Sequence, residues 1–303
     1  MTATSGPGLS LMTEMLGYAG TAEIPCVIID AQRGGPSTGL PTKTEQSDLQ
    51  HALYGGHGEA PRVVIAPITV EDCFWSTIDA FNYSERFQVP VILLTDQGLA
   101  TRMEVIHKPD TDKVELWDRK TSAGVEEYKR YELTEDSVSP MGIPGEEGGQ
   151  YVATGIEHNE LGHPAYTPEN HLAMQTKRWA KLAPLANGIV RHETHGDETP
   201  EIALIGFGST YGPVREAVDR AREEGASVGL FYPRVLGPFP VEHVKAFTAN
   251  AKRVIVPEVN FTGQLARLVR GECGLAVESH AKCDGLPFTA DDVLDIIMER
   301  IPS

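Results

Sequence analysis

The sequence predicts an α/β protein of two domains, each built on a mostly parallel sheet. Three observations carry that expectation. Short apolar runs, "IPCVIID" (24–30), "RVVIAP" (62–67) and "VPVILLTD" (89–96), are unbroken, as strands covered on both faces tend to be. Segments of helical spacing fill the gaps between them, the alternation expected of βαβ units. With 303 residues, 41% of them apolar and 23% charged, the chain is long enough for two cores.

Taken in order, 10–20 has helical apolar spacing and leads into the strand at 24–30. After the strand at 62–67 comes a helix over 69–87, opened by "TVED", in which Thr69 suits an N-cap and Asp72 an acidic first turn. The strand at 89–96 ends in Asp96, placed as an N-cap for the next helix. Residues 108–162 break the alternation and read as an insertion. Within it "GVEEYKRYEL" suggests an exposed strand or hairpin, and "SPMGIPGEEGG" is loop by its Pro and Gly content. A polar helix over 169–182 comes after it, and "NGIVRHETHGDETP" has a linker's composition, which sets the domains at 1–199 and 200–303.

The second domain opens with a strand and a glycine loop. A helix with Val214, Ala217, Val218 and Ala221 on one face comes next, and then another strand; "RVIVPEVN" and a helix over 263–270 repeat the unit. The glycine spacing is GxGxxxG, and the next strand ends in Tyr232 and Pro233, where a dinucleotide site wants an acid for the ribose.

Composition narrows the function classes. The net charge of −17 argues against a nucleic-acid partner, which needs clustered Lys and Arg. The four cysteines form no CxxC pair, so the chain encodes no cluster or zinc ribbon of its own. No apolar stretch reaches membrane-spanning length and no signal peptide is evident, the reading of a soluble cytoplasmic protein.

Residues 32–48, "QRGGPSTGLPTKTEQSD", leave the C-terminal end of a strand and so lie on the ligand-binding edge of such a sheet. Gly34 and Gly35 suggest close backbone approach and positive φ. "TKTE" reads as a capping box, so that Thr42 would start a helix whose free amides favour an anion. Arg33 offers a planar fork for a carboxylate. Singly, Arg33 suits a surface ion pair and Thr42 a plain N-cap; together they point to an anionic ligand. His57 falls on the opposite edge of the sheet. His158, His163 and His171 with Glu157 and Glu160 lack HExxH spacing, leaving a metal site as a minor alternative.

The segments "TATSGPGLSLMTEMLGYAG", "QRGGPSTGLPTKTEQSDL" and "GGHGEAPRVVIAP" resemble the α subunit of 2-oxoacid:ferredoxin oxidoreductases, particularly the 2-oxoglutarate type. That resemblance implies a thiamine pyrimidine-binding domain followed by a transketolase C-terminal-like α/β domain. It implies oxidative decarboxylation of a 2-oxo acid to an acyl-CoA, with coenzyme A as acyl acceptor and ferredoxin as electron acceptor. Thiamine diphosphate would lie between this chain and a β subunit that carries the Mg2+ and a [4Fe-4S] cluster. Arg33 and Thr42 would bind substrate, with Gly34, Gly35, Ser37 and Thr38 beside the cofactor and no catalytic residue assigned to this chain. Glu157 or His158 would influence the choice of substrate chain length. The family's "YPITPSS"-like segment and glutamate, expected upstream of "TATSGPG", imply an N-terminally truncated α subunit with an incomplete first domain, inactive alone. Two other functions stay open: a non-catalytic subunit-interaction fragment and an NAD-type dehydrogenase.

Overall fold

The computed structural model describes residues 1–124, 126–188 and 191–301. The apolar runs become strands because both of their faces are covered. Along β2 (Cys26–Gln32) and β4 (Pro90–Asp96), Val27, Val91 and Leu93 face one core while Ile28, Ile92 and Leu94 face another. That is the two-residue period of a strand applied to two cores.

The first sheet runs β1 (Thr2–Thr4), β2, β4, β3 (Val63–Ile65) and β8 (Val235–Gly237), with β8 antiparallel to β3 and the other pairs parallel. The second runs β10 (Glu278–Ala281), β9 (Arg253–Glu258), β6 (Ile202–Ile205), β7 (Val228–Pro233) and β5 (His192–Gly196), with β5 antiparallel to β7 and the rest parallel. One apolar cluster joins the sheets, bringing Leu9, Ile28 and Ile92 together with Ile205, Phe231 and Val256. The sheets exchange strands across residue 200: β5 lies before it in the second sheet, and β8 lies after it in the first.

Helices α1 (Gly6–Thr21), α3 (Val70–Phe87), α5 (Pro168–Ala180), α7 (Tyr211–Glu223) and α9 (Gln264–Cys273) fall where helical spacing placed them. Thr69 caps α3, its side chain accepting from the Asp72 amide at 3.1 Å. Val214, Ala217, Val218 and Ala221 of α7 are all buried against the second sheet.

Three expectations are corrected. The first concerns "TKTE", which starts no helix. Between β2 and β3 the helix is α2 (Leu49–Tyr54), six residues long, and Thr42 lies in the exposed loop before it. Gln46, Ser47 and Asp48 are held instead by contacts with the second sheet, which override the local capping signal.

The second correction concerns "GVEEYKRYEL", which forms turns among its described residues; Val125 lies outside them. Its Arg130 and Tyr131 are buried, and the insertion is held by side chains. Arg119 pairs with Glu85 at 2.6 Å, Asn82 donates to the Glu115 carbonyl at 2.7 Å, and Gln88 donates to that of Ser139 at 2.6 Å. Last, the linker "NGIVRHETHGDETP" contains β5, which completes the second sheet; Ile189 and Val190 lie outside the described residues. A polar sequence suffices there because an edge strand needs backbone partners more than apolar faces.

Among the described residues no helix is long and apolar enough to cross a membrane.

Candidate functional site

A cleft of about 420 Å³ opens at the C-terminal end of β2. Four pieces of chain border it: the start of α1, the loop after β2, residues 45–51, and the loop between β9 and α9 with Cys283. Two sheets therefore contribute to one site, and the contact between them is polar and tightly specified. Gln46, fully buried, exchanges backbone bonds with Val259, and its side chain donates to Asp96 at 3.1 Å and to the Phe207 carbonyl at 2.8 Å. Gln264 donates to the Ser47 carbonyl at 2.6 Å and accepts from the Gln50 amide at 2.9 Å.

Asp96 is the N-cap of α4 (Gln97–Ala100) and also accepts from the Ser209 amide at 2.9 Å, so the strand-end acid is an inter-sheet tie. The glycine loop serves the same junction. A Cβ at Gly208, where φ is +64°, would come within 2.6 Å of Asp96 and Gln46, and one at Gly206 would strike the Tyr232 ring. These glycines leave room for packing, and no dinucleotide role is needed to account for them.

Arg33, half-buried, lines the cleft; its Nη1 donates only a long 3.5 Å bond to the Pro41 carbonyl, and its buried Nε has no partner. Two carboxylates share the lining. Glu45 accepts from the Gly35 amide, the Ser47 hydroxyl and the Cys283 thiol, each at 3.3 Å. Asp48 accepts from the Gly6 amide at the start of α1, and burial, reinforced by Glu45, pushes its pKa up to about 6. Beneath it Asp30 is fully buried with neither oxygen bonded, and burial, then the Asp48 charge, pushes it up to about 8. At neutral pH Asp30 therefore carries its proton.

Of the residues singled out from sequence, Arg33, Gly35 and Ser37 line the cleft, whereas Gly34, Thr38 and Thr42 belong to the same loop without lining it. Gly34 pairs with Leu40, and a Cβ there would meet the Leu40 side chain at 2.8 Å. The expected positive φ falls at Ser37 (+55°) and Gly39 (+46°), not at Gly34 or Gly35, because the loop turns two residues later than the glycine pair suggests. Sequence reasoning missed Asp30, Asp48, Asn260 and Cys283. Asp30 and Asn260 were accessible to it, since both stand at the ends of apolar runs on the ligand edge.

The histidine-rich segment does not converge. Glu157 is taken by Arg178 at 2.6 Å and His171 at 2.5 Å, which hold its carboxyl down at about 2 against the effect of burial. His158 is buried against the Tyr131 ring. Among the described residues no group of three or more His, Cys, Asp or Glu side chains is placed to hold a metal ion.

Comparison with known proteins places the chain. Residues 1–177 match the family described as pyruvate flavodoxin/ferredoxin oxidoreductase, thiamine diphosphate-binding, and residues 200–293 match pyruvate:ferredoxin oxidoreductase core domain II. Over 298 residues the chain is 39% identical to 2-oxoglutarate oxidoreductase subunit KorA of Mycobacterium tuberculosis, covering 97% of this chain and 45% of that one. Over 301 residues it is 35% identical to 2-oxoglutarate synthase subunit KorA of Methanothermobacter thermautotrophicus, covering 99% and 80%. The solved 2-oxoglutarate:ferredoxin oxidoreductase from Magnetococcus marinus, with 2-oxoglutarate, coenzyme A and succinyl-CoA bound, superposes with a TM-score of 0.97 at 47% identity, over 100% of this chain and 53% of that one. A transketolase from Campylobacter jejuni, 11% identical with a TM-score of 0.52 over 98% of this chain and 35% of that one, shares the fold. The chain spans about half the length of several relatives it matches. It belongs to the pyruvate flavodoxin/ferredoxin oxidoreductase family, with the thiamine diphosphate-binding domain at residues 1–177 and core domain II at 200–293.

Proposed function

We propose that this chain supplies the α half of a 2-oxoacid:ferredoxin oxidoreductase acting on 2-oxoglutarate. In that reaction a 2-oxo acid and coenzyme A give an acyl-CoA, carbon dioxide and a proton, and two electrons pass singly to ferredoxin. The observation that carries the reading is the half-buried Arg33, its Nε without a partner, facing a cleft of about 420 Å³ that both sheets build. A guanidinium fork there can hold a substrate carboxylate by charge-assisted bonds. Holding the carboxylate that way orients the acid for bond cleavage without an enclosing cage that would favour the ground state. Thr42, in the same exposed loop, would donate to the substrate.

Thiamine diphosphate, when bound, supplies the electron sink for the decarboxylation. The cleft suits its ring end: Glu45 and Asp48 can accept from ring N–H groups or face a ring cation, and Gly35 and Ser37 border the same space. Two carboxylates against a single guanidinium make poor company for a diphosphate. We therefore assign the diphosphate and its Mg2+ to a β subunit, along with the [4Fe-4S] cluster. Gly34 and Thr38 would act by shaping the loop. The division of the chain near residue 200 and a cytoplasmic location belong to the same proposal.

The test is carbon dioxide release and ferredoxin reduction with 2-oxoglutarate, coenzyme A, thiamine diphosphate and Mg2+. The chain alone is expected to give neither, and its complete α context with a β subunit to give both. Cofactor-dependent turnover by the isolated chain would overturn the two-chain site, and no turnover by the complete assembly would overturn the reaction.

A further inference from the structure

A second cavity, of about 340 Å³, lies at the other end of the first sheet, where β3 begins. Its walls are apolar: Leu182, Leu236, Phe239 and Leu268 are each at least nine-tenths buried, and Trp179, half-exposed, stands at its mouth. Into this lining comes Arg62, only 9% exposed, whose Nε and Nη1 are buried without an acceptor. No carboxylate pairs with Arg62 among the described residues. Glu272, on the exposed rim, is bonded to the Tyr54 hydroxyl. Burial lowers the Arg62 pKa, and no neighbouring acid offsets it.

A buried guanidinium with unmade hydrogen bonds is costly unless something completes it. The lining holds one cation and no second basic side chain, which matches a monoanion better than a phosphate ester. Apolar walls of this extent match an apolar body behind that charge. We propose that this cavity binds a small monocarboxylate with an apolar body, the carboxylate on Arg62 and the body against Leu182, Leu236, Phe239 and Leu268. The site lies at the opposite end of the sheet from the Arg33 cleft and does not depend on the reaction assigned to it.

Octanoate is the probe, with octanamide as its uncharged counterpart, titrated into the 303-residue chain by calorimetry and by Trp179 fluorescence. The expected result is saturable octanoate binding at least tenfold tighter than octanamide. Arg62→Gln should erase that difference. Ala186→Phe, which fills the cavity without touching the charge, should block both ligands and keeps the test valid if Arg62→Gln does not fold. Equal binding of acid and amide, no saturable binding of octanoate, or octanoate affinity unchanged in a folded Arg62→Gln chain would overturn the proposal. So would binding of an apolar peptide through its C-terminal carboxylate with none of octanoate, since the occupant would then be a protein segment.

Discussion

Two regions of the molecule concentrate charge away from water, and they treat it in opposite ways. Around Glu23, which is 1% exposed, Lys177 and Lys181 donate to its two carboxylate oxygens at 2.5 and 3.0 Å. Lys181 also donates to the Gln88 carbonyl at 2.8 Å, and Arg130 donates to the Glu23 carbonyl at 2.6 Å while lying over the Tyr131 and Tyr151 rings. The cluster joins α5, the turn after α1 and the insertion, none of which shares a sheet. In the Arg33 cleft the groups stay open: Arg33 Nε and both Asp30 oxygens lack partners. Charge that is bonded internally holds the chain together, whereas charge left unbonded at a strand end is available to a ligand.

Glu23 is where this contrast breaks most severely. Burial alone would raise its carboxyl, but Lys181 and Lys177 more than offset that and hold it down at about 2. Glu23→Gln leaves two buried ammonium groups without their counter-ion and is expected to cost about 3 to 5 kcal/mol, read by urea unfolding. Because the folded pKa lies below the ordinary value, this stability is present above pH 4.5 and is lost as pH falls towards 2. A change below about 1 kcal/mol would make the cluster incidental.

Arg33→Lys probes the other side. It keeps the charge and removes the fork, so turnover of the complete enzyme should fall by about 1.5 to 3 kcal/mol, roughly tenfold to a hundredfold. The melting temperature should stay near that of the parent, since Arg33 makes only the long Pro41 contact. Parental turnover, or a loss of stability as large as that of Glu23→Gln, would erase the distinction between the regions.

Asp30 extends the same contrast to pH. A carboxyl raised to about 8 keeps a proton that the unfolded chain releases near pH 4. It therefore lowers stability as pH rises from about 4 to 8, by up to about 1.4 kcal/mol per pH unit. Asp30→Asn should flatten that slope and be the more stable protein at pH 8. An unchanged slope in denaturant titrations at pH 5 and pH 8 would show that Asp30 is not the titrating group.

Thr42→Val carries the smallest expected effect. One neutral hydrogen bond to substrate is worth about 0.5 to 1.5 kcal/mol, roughly a twofold to tenfold loss in kcat/KM with no change in stability. An undiminished kcat/KM would confine substrate binding to Arg33.

Local sequence was enough for the doubly covered strands, the helices between them and the loop that carries Arg33. Each rests on information within a few residues: an unbroken apolar run, a 3.6-residue period, glycines after a strand on the ligand edge. The motifs "TATSGPG" and "QRGGPSTGLPTKT" also identified the family, whose pattern then matched residues 1–177.

Partners distant in the chain settled the rest. "TKTE" met the local rule for a helix start, yet Gln46 is drawn to Asp96, Phe207 and Val259, so the helix begins at Leu49. His192–Gly196 had a linker's composition and became a strand because β7 presents an open edge to it. Asp30 looked like the end of an apolar run; only burial beside Asp48 makes it a protonated acid. Arg33, Arg62 and Arg130 are the same letter in sequence, and only the acceptors that folding brings to each decide their roles. A carbonyl and two aromatic rings make Arg130 structural, while Arg33 and Arg62 are left facing cavities with nitrogens unpaired.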